Sequence, residues 1–315
     1  MLGPNEVREL AERLGVSPTK KLGQNFVIDP NTVRKIVRLA GVEAGDRVLE
    51  IGPGLGSLTL GLTEVGADVT AVEIDRHLAA ELPHTARTMQ PQIFADAGAH
   101  RLRVINTDAL ELTRSAILSA VADSDAEAGD AASSSSSPSS ARDEESALPE
   151  VLVANLPYNV SVPILMHLLE LIPGLRSGLV MVQAEVGYRI AAGPGSKEYG
   201  APSAKAAWYG EWRIAGTVSR RVFWPVPGVD SVLVGYERLR EPRGSEAERR
   251  GTFELVNAAF AQRRKMLRQS LQPVLGDLAA TVAVIEAADL DPTARAEQLS
   301  IDDYLAICRA RNTGL

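Results

Sequence analysis

A chain of 315 residues, 45% of them hydrophobic and 23% charged, has the composition of an ordinary globular protein and is long enough for one large domain plus a smaller one. Its one cysteine, Cys308, rules out an internal disulfide; four scattered histidines offer no zinc-type cluster, and no run of about 18 apolar residues suggests a membrane span. The net charge of −7 argues at first against a nucleic-acid partner, but residues 119–150 hold eight acids against one arginine, so the rest of the chain is neutral overall.

Met1–Glu6 lacks a basic-then-apolar leader, and with the lone cysteine this predicts a cytoplasmic protein. Arg47–Ile51 reads as a short buried strand closed by Gly52-Pro53-Gly54, and Leu58–Val65 has the apolar spacing of a helix. Further strands are expected at Asp68–Glu73 and Leu102–Asn106. Residues 119–150, made largely of Ala, Asp, Glu and Ser with a run at Ser133–Ser137, have almost nothing to bury and are expected to form a disordered insertion. Strands at Val151–Ala154 and Gly178–Val182 follow, with a helix at Val162–Leu171 between them. Such alternation predicts a Rossmann-like α/β fold, a parallel sheet with helices on both faces and ligands at the carboxyl ends of its strands. From about residue 245 the pattern turns helical: Val256, Phe260, Leu267, Leu271 and Val274 fit one face of a helix starting near Glu246. Asp291-Pro292 and Ser300-Ile301-Asp302-Asp303 look like later helix starts. The expected organisation is a Rossmann-like domain at 1–240 and a small helical, RNA-binding domain at 245–315.

Glu50-Ile51-Gly52-Pro53-Gly54-Leu55-Gly56 runs a strand into a glycine turn, where the backbone can approach a ligand without a Cβ in the way. Glu73, at the end of the next strand, can accept hydrogen bonds from both hydroxyls of a ribose. A dinucleotide would suit much the same layout. The tighter Gly-x-Gly-x-Gly spacing, and Asn106-Thr107-Asp108-Ala109 placed to hold an adenine edge, favour S-adenosylmethionine.

Asn155-Leu156-Pro157-Tyr158-Asn159, after the fourth strand, is the most specific signal in the chain. The exocyclic nitrogen of adenine is a poor nucleophile because its lone pair is delocalised into the ring. Acceptors for its two N–H groups, the Asn155 side-chain oxygen and the carbonyl of Leu156 or Pro157, would push it toward a tetrahedral, more nucleophilic state. Pro157 stiffens the loop, and Tyr158 offers a face on which a flipped base can stack.

These motifs resemble those of the small-subunit ribosomal RNA adenine dimethyltransferases, the family behind kasugamycin sensitivity in bacteria. The likeness covers nearly the whole chain outside 119–150. It runs through Lys20–Phe26, Glu50–Gly56, Glu73-Ile74-Asp75, Asp108-Ala109-Leu110, Asn155–Asn159, Gly193–Gly200, Val222–Ser231 and Phe260–Lys265. The resemblance implies cofactor contacts at Asn25, Val27, Gly52, Gly54, Glu73, Ile74, Asp108, Ala109 and Asn155, with S-adenosylhomocysteine as product. It implies that Phe223 and Tyr158 sandwich the target base. The implied substrate is a pair of adjacent adenosines in a hairpin near the 3′ end of small-subunit ribosomal RNA, in a 30S precursor, each dimethylated by a monomeric enzyme. The sequence departs from the family pattern at Val160-Ser161-Val162-Pro163 (usually Ile-Ser-Thr-Pro), at Gly228, where Lys is common, and in the acidic insertion.

Basic residues that could meet phosphate are Lys20, Lys21, Arg220, Arg221, and Arg263, Arg264, Lys265 and Arg268 on the C-terminal helix. Trp208, Tyr209 and Trp212 are better explained by packing than by base stacking. Three rival readings remain at this point: a large-subunit adenine methylase, an assembly factor in which RNA binding matters more than chemistry, and a dinucleotide-dependent oxidoreductase.

Overall fold

A computed structural model describes residues 1–16, 25–95, 102–128 and 141–313. Its strands are β1 (Phe26–Val27), β2 (Arg47–Ile51), β3 (Asp68–Glu73), β4 (Leu102–Asn106), β5 (Val151–Asn155), β6 (Ser177–Gln183), β7 (Gly210–Val218), β8 (Phe223–Trp224) and β9 (Ser231–Arg238). Helices α1 (Pro4–Arg13), α2 (Pro30–Ala40), α3 (Ser57–Glu64), α4 (Arg76–Met89), α5 (Arg114–Ala128), α6 (Ala141–Ala147), α7 (Ser161–Leu171) and α8 (Ala184–Ile190) alternate with the first six strands. Helix α9 (Ala201–Tyr209) precedes β7. Helices α10 (Glu246–Ala261), α11 (Leu267–Ser270), α12 (Gln272–Leu275), α13 (Leu278–Ala287) and α14 (Ile301–Asn312) close the chain.

The main sheet runs β4-β3-β2-β5-β6-β9-β7, and β3·β4, β2·β3, β2·β5 and β5·β6 are parallel pairs. Strand order reverses between β2 and β5, so the crevice used by parallel α/β sheets opens there. Register brings the strand ends level: Ile51 lies opposite Val72, Glu73 opposite Asn106, and Asn155 opposite Met181. One layer of core packs Val48, Val69, Val151, Val153 and Leu179 with Val33 and Val37 of α2 and Leu58 and Leu62 of α3. Helix α2 is set by its ends: the Asp29 carboxylate accepts from Thr32 N at 2.9 Å, Pro30 takes the first turn, and Gly41 closes it at φ 65°.

The chain divides into two compact units, Met1–Gly187 with Ile214–Tyr236, and Tyr188–Arg213 with Glu237–Leu315. Residues 188–213 therefore group with the C-terminal helices, which a single break at 240–245 does not describe. Within the second unit α10 packs on α14, Leu255, Val256, Ile307 and Cys308 being fully buried. Trp208 and Tyr209 are buried edge-on against Phe253, in agreement with a packing role.

The structure corrects three local expectations. The insertion is not disordered throughout, because its flanks are the helices α5 and α6. Alanine and glutamate are strong helix formers, and Thr113 Oγ1 caps the start by accepting from Ala116 N; residues 129–140 lie outside the described ones. The helix expected to run on from Glu246 stops at Ala261, and 262–266 form a break before α11. Asp291-Pro292 starts no helix, because the Asp291 carboxylate turns the chain locally, accepting from the backbone N and hydroxyl of Thr293, each at 2.7 Å. The Ser300 start is a full capping box with Asp303. Among the described residues no helix is long and apolar enough to cross a membrane.

Candidate active site

A cavity of about 250 Å³ opens at the strand ends where the sheet order reverses. Asn25, Phe26 and Val27 form one wall. The β2–α3 turn, the ends of β3 and β4, and the segment after β5 form the others. Gly54 sits at φ 57°, and a Cβ there would lie 2.8 Å from the Phe26 ring, so both the backbone and the packing demand glycine. Gly52, at φ 67°, has among the described residues only Asn155 O within 4 Å of where its Cβ would be, which leaves bare backbone facing the cavity.

Two acids share this floor. Glu73 is tied into the turn by Gly54 N at 3.0 Å and Asp75 N at 2.9 Å, one bond to each carboxyl oxygen. Burial pushes its pKa above the ordinary range, and those N–H groups oppose the rise. Glu50 is 1% exposed. Its Oε2 accepts from the Thr59 hydroxyl at 2.7 Å, whereas its Oε1 is buried with no hydrogen-bond partner among the described residues. Burial raises the Glu50 carboxyl to about 8. The motif spacing assigns Glu50 no role; the sequence signal for it is an acid within an apolar strand (Val48-Leu49-Glu50-Ile51).

At the far rim Ile74 and Leu110 are large apolar side chains left 52% and 40% exposed. Ala109, which also lines the cavity, is buried, and Asp108 Oδ1 accepts from Leu110 N at 2.9 Å. Asn106 does not line the cavity, because its amide donates to the Glu73 carbonyl at 2.8 Å.

The segment after β5 is pinned along its length. Asn155 Nδ2 donates to the Asn25 carbonyl at 3.0 Å, which leaves Oδ1 as the acceptor. Leu156 N donates to Met181 O at 3.1 Å, and the Leu156 side chain is buried. Pro157 O already accepts from Val160 N at 3.3 Å. Tyr158 is half-buried on the cavity wall; its Oη lies 2.6 Å from Ser231 Oγ, and burial raises its pKa.

Asn25, Val27, Gly52, Gly54, Glu73, Ile74, Asp108, Ala109 and Asn155–Tyr158 are thus brought together. Phe223 is not among them. It is 1% exposed, packed with Val27, Val218 and Leu233, and β8 pairs it antiparallel with Val27 of β1. Its neighbour Trp224 stacks on Phe26, ring centroids 6.3 Å apart. Of the two aromatic residues that line the cavity, Phe26 is buried and Tyr158 half-buried, so Tyr158 offers the more open face.

The basic residues differ in availability. Lys20 and Lys21 lie outside the described residues. Arg220 pairs with Asp230 at 2.9 Å, while Arg221 is exposed. Arg263 pairs with Glu297 at 2.6 Å and donates to Lys197 O. Arg264 and Lys265 are exposed in the break between α10 and α11, not on a helix face, and Arg268 is half-buried in α11.

Residues 16–312 match the ribosomal RNA adenine dimethylase family. The chain is 58% identical over 307 residues to ribosomal RNA small subunit methyltransferase A of Leifsonia xyli subsp. xyli, covering 98% of this chain and 97% of that one. The protein of the same name from Thermobifida fusca is 50% identical over 311 residues, covering 99% and 96%. Among solved structures, a dimethyladenosine transferase from Plasmodium falciparum superposes with a TM-score of 0.66 at 22% identity, over 89% of this chain and 94% of that one. A 23S rRNA methyltransferase gives 0.58, also at 22% identity, over 91% and 99%; at such identities the likeness is one of fold.

Proposed function

Because the chain belongs to the ribosomal RNA adenine dimethylase family, we infer that it moves methyl groups from S-adenosylmethionine to the exocyclic amine of adenines in small-subunit ribosomal RNA. The observation that carries the chemistry is the bond from Asn155 Nδ2 to the Asn25 carbonyl, which fixes which end of the amide can accept.

The cavity residues fit the cofactor. The unpartnered Glu50 Oε1 is an acceptor suited to a cationic amino-acid portion, and the Glu73 oxygens keep lone pairs for ribose hydroxyls. Bare backbone at Gly52 allows close approach, with Asn25 and Val27 on the same wall. Ile74 and Leu110 supply apolar faces for an adenine whose edge meets Asp108 and Ala109. S-adenosylmethionine supplies a methyl already activated by its sulfonium, so the chain's task is alignment.

In the reading we propose, the target base stacks on Tyr158, an interaction worth about 1–3 kcal/mol. Its two N–H groups are accepted by Asn155 Oδ1 and by Leu156 O, the Pro157 carbonyl being engaged with Val160 N. Hydrogen bonding there localises the nitrogen lone pair, which forms the N–CH₃ bond as the C–S bond breaks to leave S-adenosylhomocysteine. The proton of the product ammonium passes to solvent. Phe223 acts from beneath, holding β8 against β1.

The finer substrate is proposed to be two adjacent adenosines in a 3′-terminal hairpin of a small-subunit precursor, each receiving two methyls during maturation by a monomeric, cytoplasmic enzyme. Arg221, Arg264 and Lys265 are exposed cations suited to phosphate, and the helical second unit is the proposed RNA-binding domain.

The test is incubation with labelled S-adenosylmethionine and, separately, undermethylated small subunits, large subunits and free RNA, followed by digestion and mass identification. Dimethyladenosine from small subunits is the expected product. Label confined to large subunits, or binding with no transfer, would overturn the assignment.

A further inference from the structure

Val229-Asp230-Ser231 carries sequence signal, yet the reaction as described uses none of it. Ser231 is the first residue of β9 and only 1% exposed. Among the described residues its hydroxyl has one hydrogen-bond partner, the phenol oxygen of Tyr158 at 2.6 Å. That short bond joins distant parts of the sheet. Tyr158 stands after β5, Ser231 begins β9, and β6 lies between them in the strand order. The bond therefore closes a reach from the segment after β5, past β6, to the start of β9. Each end of the reach is anchored to β6 or the residue after it: Leu156 N donates to Met181 O at 3.1 Å, and Ala184 N donates to Asp230 O at 2.9 Å.

We propose that Ser231 is a positioning residue for methyl transfer, fixing the Tyr158 ring through its phenol oxygen so that the stacking face is formed before the base enters. The proposal rests on the reading of Tyr158 as the stacking face. A tyrosine ring held only at its Cα turns about two side-chain bonds, and ordering it on base entry would be charged against each turnover. The same bond satisfies the half-buried phenol. Without it the hydroxyl would seek another partner, and the open side is the cavity in which donor and base meet.

The experiment compares Ser231→Ala, Ser231→Thr, Tyr158→Phe, Tyr158→Ala and the Ser231→Ala/Tyr158→Phe double variant. Steady-state methylation of undermethylated small subunits is measured, with S-adenosylmethionine affinity by calorimetry and Tm for each protein. Ser231→Ala is expected to lower kcat about tenfold, the scale of one lost hydrogen bond expressed in the rate-determining complex. Cofactor affinity should stay within twofold. Tyr158→Phe should match it, the double variant should be no worse than either single, and Ser231→Thr, which keeps the hydroxyl, should recover most of the loss. A purely structural serine would lower Tm while leaving kcat per folded enzyme unchanged, and that result overturns the proposal, as do multiplicative losses in the double variant. Full turnover in Tyr158→Ala would instead overturn the stacking assignment itself. Loss in Tyr158→Ala with wild-type kcat in Ser231→Ala would remove Ser231 alone.

Discussion

Replacing Glu50 by glutamine removes a charge from the cavity floor at nearly constant shape. The carboxyl is buried, Oε2 is held by the Thr59 hydroxyl and backbone, and Oε1 holds nothing among the described residues. Burial carries its pKa from the ordinary 4.5 to about 8 in the folded chain. A raised folded value means that the stability Glu50 allows is complete below about 4.5 and is lost as pH rises through about 8. Over that window stability falls with pH, and on the order of 2–3 kcal/mol should disappear between pH 6 and pH 9. For a unit of this size that corresponds to a fall in Tm of about 5–10 °C. Glutamine has no proton to lose. It can still accept from Thr59, so the Glu50→Gln curve should lack this fall. The difference between the two melting curves isolates Glu50, apart from the relief that Glu73 feels when a neighbouring charge is removed. Thermal melts of cofactor-free protein at half-unit pH steps give the answer. Parallel curves for wild type and Glu50→Gln from pH 6 to pH 9 would refute the argument, because they would mean that Glu50 ionises in the folded chain as readily as in water.

Asn155→Ala should lower turnover by about 100-fold or more and change RNA affinity by no more than a few-fold, in proportion to the loss of a transition-state acceptor; equal losses in both would remove Asn155 from the chemistry. Phe223→Ala empties a buried site beside Val27 and Leu233 and should cost about 3–5 kcal/mol, read by urea melts. A wild-type melt would mean that Phe223 is not the core residue described here. RNA affinity should fall steeply with added salt, and Arg264→Ala with Lys265→Ala should shallow the slope of log K against log salt by about 0.7–0.9 for each phosphate contact removed. An unchanged slope would take both residues out of the interface.

The parallel half of the fold was legible because buried parallel strands are short apolar runs closed by glycine or a polar residue. The bounds read for Arg47–Ile51, Asp68–Glu73 and Leu102–Asn106 coincide with β2, β3 and β4. What escaped has local causes. Helix α2 is the exception: its ends, Asp29-Pro30 and Gly41, and its buried stripe of Val33, Ile36 and Val37 put it within reach of the sequence. The two-residue strands β1 and β8 exist only through each other, some 200 positions apart in sequence, and no periodicity can reveal such a pair. The same pairing explains Phe223: an aromatic within a site motif suggests contact with substrate, whereas its place beneath the wall depends on a partner strand at the other end of the chain. The break after Ala261 was hidden because apolar residues on both sides, Phe260 and Leu267, kept a helical spacing across it. At the site, the cofactor wall follows from glycines and acids at strand ends. The availability of each cation does not, because the fold chooses the partner acids: Asp230 for Arg220 and Glu297 for Arg263, neither of which sequence spacing marks as a partner.

The contact between Tyr158 and Ser231 also bears on the order in which the protein comes into being. Every residue lining the cavity has left the ribosome's peptidyl centre by Ile164, while the seat of the phenol oxygen and the strand that braces β1 are still unmade. At about 5–20 residues per second those last parts arrive roughly 3–13 s later. A nascent chain thus contains every group of the donor pocket well before it has a fixed acceptor face, so full turnover waits until synthesis has passed β9.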